Sequence, residues 1–381
     1  MSLVGGGIYV YTMSLYTAGL LGMGLSIYLS RVVPGSSAFL LFIVSYALAE
    51  IGVGGEEPPA LAAATELMPH NKRGAAIVLI TNFDNVGAAI ASAILLIALL
   101  RSSQLSATGT MISAAVITLI ATVIIRLITP PESVRWLLAK GRVSEAERVA
   151  SEYGLTYTLT ETPTQGIKFP PLWFRTLILS LLGVSQLTTY GLMAYYIVYL
   201  PSLPTSSNEV LATQVLLWAN VGASIAGLIG FIVDRLSRKT FTLLSYLGGL
   251  LTMIPIFLIY GKIVSNQMSS SLTIFYALLF LNMVFSEFGW AVRVLLEPEL
   301  YPTRTRATWI GIVRFIAWIM YISLIYYLLA SSNVYTYLLS NLVLYAVGFA
   351  AALAWYIYGV ETRGLPIHAL DKAADKGRQH S

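Results

Sequence analysis

Cysteine is absent from this chain, and histidine occurs only at His70, His368 and His380. The first absence removes disulfides, thiol nucleophiles and thiolate metal sites together. The second leaves three imidazoles, all in polar intervals, which cannot build a metal cluster at recognisable spacing. No cofactor is expected. Charge is scarce as well: Asp, Glu, Lys and Arg supply 11% of the 381 residues, where about a quarter is usual in a soluble domain. That excludes a water-soluble globule. The sequence also has no phosphate-cradling glycine loop and no Ser/His/Asp set at telling spacing, which argues against ATP-driven pumping and against an enzyme.

Long apolar runs fill the place of the missing charge. Apolar residues make up 57% of the chain and the mean hydropathy is +0.75. Ten runs stand at approximately 8–29, 38–66, 76–100, 107–129, 172–200, 210–233, 241–262, 272–296, 308–330 and 335–358. Each is long enough to cross a hydrocarbon core at about 1.5 Å of rise per residue. Lipid offers backbone groups no partner except the helix itself. The expected fold is therefore all-α and polytopic, with about ten transmembrane helices. The first run lacks a basic leader and a cleavage site and reads as a retained helix.

The net charge of +5 does not indicate a nucleic-acid partner, because the cations lie on one side. With both termini in the cytoplasm, seventeen Lys and Arg fall in cytoplasmic intervals, and only Arg31, Arg101 and Lys262 fall opposite. This is a positive-inside bias, and it sets the orientation of a multi-pass protein in the cell membrane. The 23 tyrosines mostly suit interfacial belts.

Residues 130–171 divide the chain into four runs before (1–129) and six after (172–360), followed by a tail at 361–381. Within the divider, about 132–153 reads as one amphipathic surface helix or two short ones. Trp136, Leu137, Leu138, Val143, Ala146 and Val149 form the apolar face. Residues 154–171 lose charge, gain Thr, Gly and Pro, and suit a flexible link.

Acidic or proline-containing turns follow every second run, at Glu66–Gly74, Pro130–Arg142, Asp234–Lys239, Glu299–Arg306 and Glu361–Gly364. Three stretches are especially informative: Pro131-Glu132-Ser133-Val134-Arg135-Trp136, Asp234-Arg235-Leu236-Ser237-Arg238-Lys239 and Glu299-Leu300-Tyr301-Pro302-Thr303-Arg304-Thr305-Arg306. Together with Ser185-Gln186-Leu187-Thr188-Thr189-Tyr190 in the fifth run, the sequence resembles the sugar-porter-like branch of the major facilitator superfamily. The resemblance covers nearly the whole chain. It implies a secondary transporter with two six-helix halves, and its register sets the first run here at the family's third helix. The expected architecture is an incomplete major facilitator fold of 4 + 6 helices. A start placed too late, a truncated gene and a genuine ten-helix form are the alternatives.

What the resemblance implies for single residues follows from these positions. Gln186 falls on a family sugar ligand, while Ser185, Thr189 and Gly191 replace its Gln, Gly and Asn. Tyr190, Trp290 and Asn82 are further candidates for solute contact, Trp290 by stacking on a ring. Glu66, Arg73, Asp234, Arg235, Arg238, Glu299, Arg306, Glu132 and Arg135 stand where a cytoplasmic gate of ion pairs is expected.

Charges within or near the runs carry most of the functional information, since each costs about 2.5–3.5 kcal/mol at a helix centre on insertion scales. They are Glu50, Glu56, Glu57, Asp84, Glu287, Arg293, Glu297 and Arg314. Glu56 and Glu57 follow Gly52-Val53-Gly54-Gly55, which is expected to loosen the helix, and they precede Pro58-Pro59. With Asp84 they are the candidate proton-coupling acids. Arg314, about two turns past Arg306, reads as a snorkelling side chain. The reading is a monomeric carrier of a small organic solute, a sugar or organic acid, working by alternating access with protons as a possible second substrate. The rival is a transporter-derived membrane protein that senses or scaffolds.

Overall fold

The computed structural model describes residues 6–68, 71–101, 104–128, 134–139, 141–152, 168–200, 207–264, 268–302, 305–331 and 333–365. Every regular element among them is helical. In order they are α1 (Gly6–Leu29), α2 (Gly35–Leu67), α3 (Arg73–Thr81), α4 (Phe83–Leu99), α5 (Gln104–Ile128), α6 (Val134–Ala139) and α7 (Val143–Glu152). There follow α8 (Leu172–Gly191), α9 (Glu209–Ala226), α10 (Arg238–Val264), α11 (Met268–Glu299), α12 (Arg306–Ser331) and α13 (Val334–Tyr358). Among the described residues, nine helical stretches are long and apolar enough to cross a membrane, with α3 and α4 counting as one from Arg73 to Leu99. The tenth expected run is helical as α5, but its described apolar stretch, Thr108–Ile117, is shorter. The divider contains two short helices, α6 and α7, packed on each other through Val134, Leu137, Ala146, Val149 and Ala150. Val143 is exposed instead of joining that face.

The chain forms two compact units. Met1–Leu67 with Ile94–Glu161 make one, and Met68–Ala93 with Thr162–Ser381 make the other. In both, large apolar side chains point outward, as with Phe39, Leu258, Phe315 and Tyr326, while Ser45, Asn220, Asn282, Glu297 and Asn341 are buried. A helix in water shows the reverse. Lipid solvates the apolar surface, and polar groups find partners only inside.

In the first unit α1 crosses α2 at small residues. A Cβ on Gly19 would lie 2.5 Å from the Ala49 backbone N, and one on Gly52 would lie 2.5 Å from the Thr12 carbonyl oxygen. Ser26 Oγ donates to the Ala38 carbonyl at 2.6 Å across the same pair. Met13, Leu20, Met23, Ile112 and Leu119 form the apolar core, with α5 packed on α1. These contacts correct one expectation. The Gly52–Gly55 stretch does not loosen α2, which is helical from Gly35 to Leu67; Gly52 instead lets two backbones approach.

The second unit is built on α8–α13. Its core runs through Leu192, Met193, Ile197, Met253, Leu279, Met283 and Tyr337. Asn208 and Asn333 begin α9 and α13, their side chains accepting from Leu211 N at 3.0 Å and Thr336 N at 3.2 Å. Both are N-caps of the usual kind.

Gly52→Val should lower the thermal midpoint of the detergent-solubilised protein, because a branched side chain cannot enter the α1–α2 contact. Gly54, with nothing within 4 Å of its Cβ position, is the control: Gly54→Ala should be neutral or stabilising by about 0.5–1 kcal/mol through helix propensity. Equal effects of the two substitutions would contradict the packing role.

Candidate functional site

Two groups of polar side chains meet inside the second unit, both organised along α11. The first lies where helices end. Glu299, the last residue of α11 and 1% exposed, receives a hydrogen bond from Arg73 Nη2 at 2.8 Å and another from Thr362 Oγ1 at 2.6 Å. Arg238 Nε stands 3.5 Å from Oε2, the oxygen that Thr362 also bonds. Arg73 and Glu299 are 226 residues apart in the chain. The Asp234 carboxylate accepts from Gly74 N at 2.9 Å and Ala75 N at 2.8 Å, and Arg238 Nη2 lies 3.4 Å from Oδ1. It thus caps α3, whose own N-cap residue Lys72 makes no side-chain cap bond, and it meets the positive end of the helix dipole. Gly74 is required for this approach, since a Cβ there would meet Asp234 Oδ1 at 2.3 Å.

Glu361 completes this group. Its carboxylate accepts from the Ser237 hydroxyl and from the backbone N–H groups of Arg238 and Arg363, at 3.0 and 2.9 Å. Burial works to raise its pKa, but the Ser237 and backbone donors outweigh that and hold it below the usual carboxylate range. Arg306 is buried and donates through Nε to the Pro298 carbonyl at 2.8 Å. Arg235 takes part through its carbonyl, which accepts from Arg363 at 2.8 Å, while its side chain is exposed. Glu132 lies outside the described residues, as do the side chains of Glu66 and Arg135.

The second group lies deeper in the helices. Arg293 Nη1 donates to Gln186 Oε1 at 2.8 Å, and its Nη2 lies 3.2 Å from Glu297 Oε1. Glu297, fully buried, also receives Arg314 Nε at 2.9 Å. Arg314 is therefore an internal partner and does not snorkel. Both guanidinium groups lie over the Trp290 ring, at 5.2 and 5.3 Å from its centroid, an arrangement favoured by the ring quadrupole.

Beside them is a network of tyrosine and asparagine. The Tyr190 hydroxyl donates to Asn220 Oδ1 at 2.8 Å and lies 3.2 Å from Asn85 Oδ1; Tyr195 reaches the same Asn220 oxygen at 3.3 Å. Asn85 Nδ2 donates to Asn82 Oδ1 at 3.3 Å, and Asn82 Nδ2 to the Ser224 carbonyl at 3.0 Å. The local winding of α8 makes the tyrosine pair possible. Residues five apart on a regular α-helix stand about 140° apart, but Leu192–Tyr196 is a π-helical turn. The wider turn narrows that angle, and the two rings meet edge to face with centroids 5.7 Å apart. Asp84, at the start of α4, is exposed and acts electrostatically on Tyr190, Tyr195 and Glu287.

Comparison with known proteins shows the family. A family model described as "Sugar (and other) transporter" matches residues 7–373. The chain belongs to the sugar transporter family. Among curated relatives of this family, Plastidic glucose transporter 4 of Arabidopsis thaliana is 26% identical over 88% of this chain and 63% of its own length. Membrane transporter D1 of Leishmania donovani is 26% identical over 84% and 61%, respectively. The chain thus spans a little under two thirds of those two relatives. The putative metabolite transport protein YdjK of Escherichia coli K12 is 26% identical over 86% of this chain and 73% of its own length. The fold matches the proton:xylose symporter XylE bound to 6-bromo-6-deoxy-D-glucose, with a TM-score of 0.71 at 17% identity, covering 96% of this chain and 82% of that one. It also matches an inward-open form of XylE from E. coli at a TM-score of 0.65 and 15% identity, over 96% and 81%. The sugar transporter fold is therefore a major facilitator fold, and the protein is multi-pass.

Of the residues singled out by sequence, Gln186, Tyr190, Trp290 and Asn82 all lie in the second unit, in or beside the two deeper networks. Glu56 and Glu57 belong to the first unit, half-buried on α2. Sequence reasoning gave no role to Asn220 or Tyr195. Asn220 was visible as a lone amide in an apolar run, whereas Tyr195 needed the π turn.

Removing one member of a buried ion pair leaves its partner's charge stranded, at a cost of about 3–5 kcal/mol. Glu299→Ala should therefore destabilise the protein strongly in thermal denaturation. Glu145→Ala, which breaks the pair with Arg142 between side chains each 41% exposed, should cost about 1 kcal/mol or less. Glu361 adds a pH signature. Because its pKa falls on folding, its stabilising effect is whole above the unfolded value of about 4.3 and fades as pH drops through the lower folded one. The stability gap between wild type and Glu361→Gln should be constant near neutrality and close only in acid.

Proposed function

We propose that this protein is a secondary transporter that carries a small organic solute of the sugar type across the cell membrane by alternating access. The observation that carries the reading is the buried amide and phenol network of Tyr190, Asn220, Asn85 and Asn82 among apolar membrane helices. Such groups are costly in lipid and are retained where a polar solute must be received. Amides and hydroxyls both donate and accept, which suits a polyhydroxylated ligand. Gln186, Tyr190, Trp290 and Asn82 would contact the solute. Arg293 already holds the Gln186 carbonyl oxygen, leaving the Gln186 amide N–H groups as its donors toward a hydroxyl.

The gate is the helix-end group of Arg73, Asp234, Arg238, Glu299, Arg306 and Glu361. The positive-inside distribution supports a cytoplasmic location for it and for both termini. Opening it exchanges a set of linked ion pairs for water, all together, which gives two states instead of a continuum. Proton coupling through Glu56, Glu57 and Asp84 is supported by their acidity within or beside apolar helices and by the likeness to a fold whose solved example is named a proton:xylose symporter.

Proteoliposomes containing the full chain should take up labelled D-xylose or D-glucose faster than empty liposomes. Tyr190→Phe should reduce uptake by about three- to ten-fold, the worth of one neutral hydrogen bond at ~0.5–1.5 kcal/mol. Uptake indistinguishable from empty liposomes for both sugars and for gluconate would favour the sensing or scaffold alternative.

A further inference from the structure

α11 carries an acid that none of the groups above uses. Glu287 lies twelve residues before Glu299, about 18 Å along the helix at 1.5 Å per residue, and so well inside the span Thr273–Glu299. It is 2% exposed, and its Oε1 has no hydrogen-bond partner. Among the described residues no cation pairs with it. Every other buried carboxylate on this helix is matched: Glu297 by Arg293 and Arg314, Glu299 by Arg73 and Arg238. The neighbours of Glu287 are of a different kind. Asn85 lies within hydrogen-bonding reach, and Asp84 brings a second acid close enough to act on it.

An ionised carboxylate with an idle oxygen and a like charge nearby, away from water, is among the least tolerable arrangements in a membrane. Adding a proton removes the charge and turns the idle oxygen into a donor. We infer that Glu287 is a proton-binding site, occupied when the gate group is closed and emptied when water reaches α11. The step is a simple protonation: an O–H bond forms on the Glu287 carboxyl, and the proton leaves to water on opening. Asp84, the exposed acid of the group, is the one in contact with the surface. Tyr190 of α8 and Tyr195 of the π turn after it bring hydroxyls to the same place, and α9 contributes the uncharged Asn220. Tyr246 of α10 is bound to the Leu182 carbonyl at 2.8 Å. Arg314 of α12 is held by Glu297, and Arg293 begins six residues further along α11. Among the described residues, no other charged group is placed to neutralise Glu287.

This rests on the transporter reading only for its consequence, because the proton itself can be observed without transport. Infrared spectra of the reconstituted full chain should show a protonated-carboxyl band at neutral pH that is missing in Glu287→Gln and retained in Glu287→Asp. With one proton per solute, a one-unit pH difference drives about ten-fold D-xylose accumulation. Wild type should approach that ratio, whereas Glu287→Gln should equilibrate xylose without concentrating it and still exchange labelled for unlabelled sugar. Identical infrared spectra for wild type and Glu287→Gln would overturn the assignment, as would undiminished accumulation by the variant. Absence of xylose exchange in wild type would defeat the transporter reading alone, leaving the infrared comparison to decide Glu287.

Discussion

A carboxylate without water needs its countercharge held in place, and Glu299 meets that condition with two guanidinium groups and a hydroxyl. Arg73 comes from the start of α3, Arg238 from the start of α10 and Thr362 from the segment after α13. Each is a helix terminus, so a single acid fixes where several helices end. Asp234 does the same for the free N–H groups of α3. The group is close to electrically neutral, with Arg73 and Arg238 against Glu299 and Asp234. Its stability is therefore conditional. Kept dry, the pairs are strong and their members cannot part singly; once wet, each is worth little. That dependence on water suits the gate proposed above.

The interior of the second unit has a graded chemistry along α11. At the helix end every charge is matched. About half a turn in, two arginines share Glu297, and both lie over Trp290. Further in, the partners are amides and phenols, and the acid Glu287 stands among them. The gradation follows from cost. Ion pairs are affordable where opening brings water, whereas deep in the span neutral donors and acceptors carry less penalty. Outside this interior the side chains are apolar and lipid-facing, so the specific chemistry of the unit is confined to a few helix faces.

Much of the fold was legible because lipid simplifies it. Ten apolar runs specify helices with few alternatives, and the acidic and proline turns pointed to the family. The helix-end charges stood out for the same reason, since Arg73, Asp234, Arg238 and Glu299 sit in or beside short polar turns, where the structure joins them. The interior was harder to read. A carboxylate in an apolar run announces itself, as Glu287 and Glu297 did, but its partner does not. Arg314 looked like a helix-end cation from its spacing to Arg306, and only packing turns it toward Glu297. The glycines of α2 carried opposite possible meanings, a loosened helix or a tight crossing, and Gly19 on α1 decides between them through a contact no local pattern contains. Helix winding was invisible altogether, since Leu192–Tyr196 reads as ordinary apolar sequence.

That winding also sets how the turn responds to a change in length. Wherever a helix holds one surplus residue in a widened turn, the side chains beyond it are phased by the count of residues and not by their identity. A relative shorter by a single position between Gly191 and Tyr195 would wind as a regular α-helix there, its two tyrosines four residues and about 40° apart on one face. The ring pair would survive that loss, so the surplus residue governs the width of the turn and not the identity of what stands beside Tyr190.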